Sequence, residues 1–312
     1  KTPTSREFPV KKKPLNDVWI LLQMNVSVQE NQIWTIYVNA LVYVETWLSD
    51  TLEHLLISTL VYFIVCLCLY RWIFRVSRCV RFSARHRRIL FVLAHPDDEC
   101  MFFGPTILSL CQRNNCQVYL LCLSIGDHEQ QGHVRREELF RSCEALKIPS
   151  ENVTIMNLTE LPDDPNAEWK VPIIARFIEQ AVEALDIDAL ITFDRDGISQ
   201  HPNHIAIFYA ASSLFLTGTI PNTCKFYTLE SINVLRKYMQ FLDLPITLLT
   251  SRQWFILPWC ERKIVVRAMQ EHKSQIVWFR KLYILFSRYM LMNSLCELNV
   301  ADLELEMQMG DS

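Results

Sequence analysis

Apolar positions fall into two kinds of run along this chain. One is a stretch of twenty, Leu55 to Phe74, in which only Arg71 is charged; as a helix it spans about 30 Å, the hydrocarbon thickness of a bilayer. The others are short: Ile89 to Ala94, Gln117 to Leu123, Val153 to Leu158, Ala189 to Phe193 and Lys225 to Leu229. Runs of this length without alternation read as strands buried on both faces. Segments of helical character separate them, so the pattern predicts an α/β fold, a Rossmann-like, mostly parallel sheet with helices on both faces, preceded by a single transmembrane helix. The expected organisation is an N-terminal segment over residues 1–54, lumenal or partly artefactual, a transmembrane helix over 55–74, and a basic juxtamembrane segment over 75–88. A catalytic domain over 89–296 and an acidic tail over 297–312 complete the chain.

Charge sharpens the membrane reading. Arg75, Arg78, Arg81, Arg85, Arg87 and Arg88 come after the long run with no acid among them, whereas Glu45, Asp50 and Glu53 precede it without a Lys or Arg between residues 36 and 53. The positive-inside rule then puts the chain beyond Arg71 in the cytosol; the alternative is a core helix of a soluble protein. Residues 1–88 hold twelve Lys and Arg against six Asp and Glu, and the remainder holds 19 against 28. Eleven cysteines without a C-x-x-C pair argue for reduced thiols in a reducing compartment rather than a disulfide framework. The six glycines are never closer than six positions, which excludes both the dinucleotide fingerprint and the Walker loop. No nucleotide cofactor and no nucleic-acid partner are expected.

Two polar constellations stand at the ends of apolar runs. After Ala94 comes His95-Pro96-Asp97-Asp98-Glu99, four titratable side chains where sites form in open α/β sheets, with Pro96 preventing further strand. His95 and Asp98 can converge on one cation while Asp97 is free to face a water. After Phe193 comes His201-Pro202-Asn203-His204, opening the helix-like run Ile205 to Leu216. One of its imidazoles can complete a two-histidine, one-carboxylate set with His95 and Asp98, the other facing the same cavity. Such a set accepts Zn²⁺ and also Fe²⁺. Arg135 and Glu138 stand at helical spacing, and Asp163-Asp164-Pro165 reads as a turn. Leu244 to Trp259 and residues 276–290 are aromatic-rich. Both read as core, although the arginines and lysine among the aromatics of the second also suit a membrane surface or an anionic headgroup.

Ala94-His95-Pro96-Asp97-Asp98-Glu99 with the later H-x-x-H resembles the signature of the zinc-dependent N-acetylglucosamine de-N-acetylases. The anchor, Met101-Phe102-Phe103, Pro162 to Pro165, Ile232 to Tyr238 and Trp278-Phe279-Arg280 through Met290 resemble the members of that family that act on N-acetylglucosaminyl-phosphatidylinositol. The resemblance covers about Arg87 to Leu295. It implies a hydrolase of the endoplasmic reticulum membrane that releases acetate from that lipid-linked sugar, an early step of GPI-anchor biosynthesis. It further implies His95, Asp98 and His204 as ligands of Zn²⁺, Asp97 as general base, His201 as oxyanion stabiliser, and Arg135 with Glu138 near the sugar. Asp163 or Asp164 becomes a site-supporting residue. Gln200 departs from the pattern, standing where relatives commonly have glycine, and Asn203 stands where many soluble members have aspartate. The rival readings are a de-N-acetylase of another N-acetylglucosamine conjugate, a non-haem iron oxygenase, and a membrane-tethered binding protein that keeps the metal without turnover.

Overall fold

This computed structural model describes residues 15–76, 82, 86–112, 116–164 and 167–310. Lys11 to Lys13, Arg78, Arg81, Arg85 and Pro165 lie outside the described residues. The chain divides into two units, residues 1–64 and Val65–Ser312. Helix α1 (Leu15–Val76) is continuous through 62 residues, far longer than the twenty-residue run alone. Within it Asn31–Arg75 is the one helical stretch, among the described residues, long and apolar enough to cross a membrane. Trp34, Tyr43, Leu56, Leu60 and Phe63 are exposed on different sides of it. By length and composition this stretch is consistent with a membrane anchor, while Cys66 and Ile73 in its closing turns are buried.

The second unit is built on a seven-stranded sheet in the order β3-β2-β1-β4-β5-β7-β6. Strands β1 (Arg88–Leu93), β2 (Gln117–Cys122), β3 (Val153–Ile155), β4 (Ala189–Phe193) and β5 (Lys225–Leu229) are mutually parallel. They occupy the five short runs read from the sequence. Helices α2 (Asp98–Met101), α3 (Gly104–Cys111), α4 (Gly132–Ala145), α5 (Val171–Ala184), the kinked turn α6 (Gly197–Gln200) and α7 (Pro202–Leu216) connect them. One core joins Ile89, Phe91 and Leu93 to Ile107, Leu108 and Leu139, the other joins Leu90 and Val92 to Ile174, Ile178 and Ile207. Alternate residues of β1 thus enter opposite cores, which is why its run carries no polar position.

Strands β6 (Gln253–Ile256) and β7 (Met292–Leu298) extend the sheet in antiparallel fashion and were not legible as strands. In β7, Asn293 and Ser294 are buried, so neither a continuous apolar run nor a simple alternation marks the strand. Asn293 accepts from the Thr106 backbone at 3.1 Å and its hydroxyl at 2.8 Å, and donates to the Phe102 carbonyl at 2.8 Å, pinning β7 to α3. Around these strands lie α8 (Val234–Lys237), α9 (Leu244–Thr250), α10 (Trp259–Glu271), α11 (Trp278–Phe286) and α12 (Val300–Gly310). The expected boundary at 296 falls inside β7. The stretch beyond it is not a detached tail, since α12 places Leu303 in the core beside α7.

Candidate metal centre

In sequence order the sheet grows from β1 to β2 to β3, then returns to place β4 on the other side of β1. Such a switch point opens a crevice beyond the carboxyl ends of the two central strands. The segment after β1 carries His95 to Glu99 into this crevice, and the segment after β4 carries His201 and His204. Ligand atoms of His95, Asp98 and His204 lie within 4.8 Å of one another, all three residues buried. They line a cavity of about 330 Å³ together with Asp97, His201, Arg135, Asp163, Lys237, Gln275 and Arg280.

Each ligand-type side chain is fixed by its local backbone. Asp98 Oδ2 accepts from the Ala94 and His95 amides at 3.1 and 2.9 Å as the strand ends, and lies 3.4 Å from His204 Nε2. The His204 ring stacks on Phe193, centroids 3.8 Å apart, and its Nδ1 meets the Gly197 carbonyl at 2.8 Å. That bond puts the proton on Nδ1 and leaves Nε2 with its lone pair toward Asp98. Nε2 is buried and has no hydrogen-bond partner. An orphaned imidazole lone pair beside an ionised carboxylate and a second histidine fits a divalent cation, the nitrogen and oxygen donors suiting zinc or iron(II).

His95 Nε2 is 3.2 Å from Asp163 Oδ1 and 2.9 Å from the Asn203 amide nitrogen. Asp163 is therefore the member of the Asp163-Asp164 pair that enters the site. Burial raises its carboxyl, yet His95 and Arg135 bring it down to about 2. Asn203, noted in the sequence only as a departure, orients His95 from α7. His201 caps the same helix, its Nδ1 accepting from the Asn203 amide at 3.3 Å. Burial, His204 and His95 lower it to about 4. The contact with the Asn203 amide leaves Nε2 as the nitrogen able to donate a hydrogen bond.

Asp97 sits in the left-handed region at φ 107, unusual for a side chain with a Cβ. Its amide donates to Glu99 Oε2 at 3.0 Å. Glu99 is itself held by the Ser142 hydroxyl and by His272 at 2.7 Å, both fully buried. Burial opposes charge on each, but the facing partner lowers Glu99 and raises His272, leaving a buried ion pair beneath Asp97. Glu99, Cys100 and His272 also form a second cluster of ligand-type side chains, already occupied by that internal pairing. Burial lifts the Cys100 thiol well above its ordinary range.

Arg135 and Glu138 part company. Arg135 reaches the cavity, donating to Asp163 at 3.0 Å and to the carbonyls of Gly126 and Pro96 at 3.1 and 2.8 Å. Gly126 is required there, because a Cβ at its φ of 73 would stand 2.5 Å from the guanidinium. Glu138 does not line the cavity and does not pair with Arg135. It lies a turn further along α4 and accepts from the Ser274 amide at 2.9 Å and hydroxyl at 2.5 Å, holding the segment before α11 in place. Lys237, Gln275 and Arg280 complete the rim from the C-terminal part of the chain. Arg280 donates to Asp97 Oδ2 at 2.6 Å. In the sequence its place among aromatic residues and the resemblance over Trp278-Phe279-Arg280 marked it, and nothing local pointed to Asp97 across 183 positions.

An α/β sheet with two histidines and an aspartate at its switch point, and a second aspartate beside them, has the makings of a metal-dependent hydrolase. Residues 90–215 match the PIG-L family, described as GlcNAc-PI de-N-acetylase. The chain is 47% identical over 209 residues to N-acetylglucosaminyl-phosphatidylinositol de-N-acetylase of Bos taurus, covering 67% of this chain and 82% of that protein. It is 41% identical over 214 residues to the probable enzyme of the same name from Schizosaccharomyces pombe, covering 66% and 85%. Among solved structures, N,N'-diacetylchitobiose deacetylase from Pyrococcus horikoshii shares the fold at a TM-score of 0.50 and 14% identity, covering 70% of this chain and 85% of that one. The chain belongs to the GlcNAc-PI de-N-acetylase family.

Proposed function

We propose that this chain is a zinc-dependent N-acetylglucosaminyl-phosphatidylinositol deacetylase, releasing acetate and leaving glucosaminyl-phosphatidylinositol, an early step of GPI-anchor biosynthesis. The observation that carries the reading is the convergence of His95, Asp98 and His204, with Asp97 and His201 beside them in one cavity. His95, Asp98 and His204 would hold the cation. Zinc there would supply a Lewis acid that polarises the acetamide carbonyl and lowers the pKa of a water toward about 7.

Asp97 takes the proton of the attacking water and returns it to the departing sugar amine as the C–N bond breaks. Glu99 fixes the Asp97 backbone for this task, and Arg280 restrains its carboxylate. His201 donates its Nε2 proton in a hydrogen bond to the oxygen that gains charge as the carbonyl becomes tetrahedral. Asp163 and Asn203 hold His95, and Arg135 ties the loops after β1 and β2 together at the sugar side. The apolar span of α1 anchors the enzyme in the endoplasmic reticulum membrane. Residues 55–74 cross it, residues 75–88 lie on the cytosolic side, and the domain from residue 89 onward faces the cytosol; the arginines after Phe74 support that orientation.

The test is acetate release from N-acetylglucosaminyl-phosphatidylinositol by the full chain in detergent with zinc supplied, alongside His95→Ala. Release by the parent, none by the variant, and a matching loss of bound metal are expected. A folded, zinc-loaded parent that releases no acetate would refute the reading.

A further inference from the structure

Helix α11 is apolar on two sides. Tyr283 and Ile284 face the core, the tyrosine hydroxyl donating to the Met101 carbonyl at 2.8 Å. Trp278, Phe279, Leu282, Leu285 and Phe286 are exposed instead, the tryptophan at 74%. At 100° per residue these five fall within an arc of about 120°, a continuous apolar stripe rather than scattered exposure. Helix α8 adjoins it, Lys237 lying 5.8 Å from the Tyr283 ring, and exposes Val234 and Leu235, the leucine at 77%. Lys237 and Arg280 from these two helices line the cavity, so the apolar surface borders its mouth.

Charge and connection decide what covers this surface. Between Glu271 and Glu297 the chain has no acidic residue other than these two ends and Glu297 begins the acidic C-terminal stretch, while Lys273, Arg280, Lys281 and Arg288 lie between them. Arg288 is spent in the core, but Lys281 is exposed at the edge of the stripe, as suits anionic headgroups. The Gln240 side chain donates to the Leu285 carbonyl, joining the end of α11 to the turn after α8. From that turn Phe241, with Leu244 and Leu248 of α9, packs on Leu69, Tyr70, Ile73 and Phe74, the closing turns of α1. The apolar rim is therefore carried by elements seated on the end of the apolar span.

We infer that the exposed face of α11, with Val234 and Leu235 of α8, is a bilayer contact that sets the cavity mouth at headgroup depth, where a lipid-linked sugar is presented without leaving the membrane. This rests on the reading of a membrane-anchored enzyme with a lipid substrate. The test uses the full chain in vesicles of phosphatidylcholine and phosphatidylinositol containing a phospholipid with a photoactivatable acyl chain. After illumination, adducts should map to residues 278–286 as well as to α1. Leu282→Asp with Leu285→Asp should lower labelling of that segment about tenfold, with α1 still labelled and zinc content unchanged, and Leu282→Phe should retain it. Adducts confined to α1 would overturn the inference, as would cross-linking of α11 to a second protein molecule in place of lipid. Labelling does not depend on turnover, so its failure and a failure of acetate release are separate results.

Discussion

The parallel half of the sheet and its antiparallel extension divide the work of this protein unequally. From β1 to α7 come His95, Asp97, Asp98, His201 and His204, every group assigned to the reaction itself. From α8 to β7 come Lys237, Gln275 and Arg280, which line the mouth without belonging to the donor set, Arg280 also restraining Asp97. The buried charges differ as well. In the parallel half His204 Nε2 is orphaned, whereas Asp243 in the extension accepts from Arg236 at 2.6 and 3.1 Å, Arg288 at 2.6 Å and Thr247 at 2.8 Å. Both oxygens of Asp243 are thus met by donors within the chain although Arg288 Nε is unpartnered, whereas the lone nitrogen of His204 facing the cavity can receive a ligand.

Asp97→Asn attacks the parallel half at its chemistry and should have the largest effect. Turnover should fall about 10³-fold, roughly 4 kcal/mol of barrier, with bound zinc unchanged, because only the proton acceptor is lost. Single-turnover acetate release measures it, and a zinc-loaded variant keeping a large part of the parent rate would remove Asp97 from the mechanism. Asp243→Ala attacks the extension instead. It strands Arg288 in the core and should cost about 3 kcal/mol of stability, read from denaturant unfolding in detergent. If stability hardly moved, the Asp243 cluster would not be a structural support of the extension.

Metal provides a third comparison. Raising free zinc to about 100 times its dissociation constant should add about 2.7 kcal/mol of stability to the parent, and almost none to His204→Ala. Equal stabilisation of both proteins would place the cation elsewhere. The smallest effect is expected at Gln200, the last of a run of residues at positive φ before His201, with φ 58. Gln200→Gly should raise stability by about 1 kcal/mol, since glycine adopts this conformation without the Cβ penalty. A melting temperature that fell would mean that the glutamine side chain contributes a contact outweighing its backbone strain.

Legibility divided along the same line. Most of the parallel strands were readable because β1, β4 and the inner parts of β2 and β5 are buried on both faces and so are written as nearly unbroken apolar runs. His95, Asp98 and the H-x-x-H stood out because charge at the end of such a run has no structural reason to be there. Strands β6 and β7 were missed because Leu244 to Trp259 merges a helix and a strand into one apolar stretch, and because β7 carries Asn293 and Ser294 inward. Glu138 was not seen to face Ser274 for a related reason. Spacing along a helix states which residues share a side, not which neighbouring element reaches them, and Ser274 reaches Glu138 first. The aromatic segment 276–290 was ambiguous as a whole because it contains both answers, with Tyr283 and Arg288 buried and Trp278, Phe279 and Phe286 exposed.

By itself the sequence determined the apolar span, the order of the parallel strands along the chain and the identity of the donor groups, all of which are local patterns of polarity or residue type. Only the tertiary structure decided that Asp163 rather than Asp164 meets His95, that Arg280 crosses 183 positions to Asp97, that His201 caps α7, and that α11 turns a second apolar face outward. Each of these depends on which surfaces the chain brings together at the switch point and around β7. Burial and long-range pairing are properties of that packing, and no window of neighbouring residues contains them.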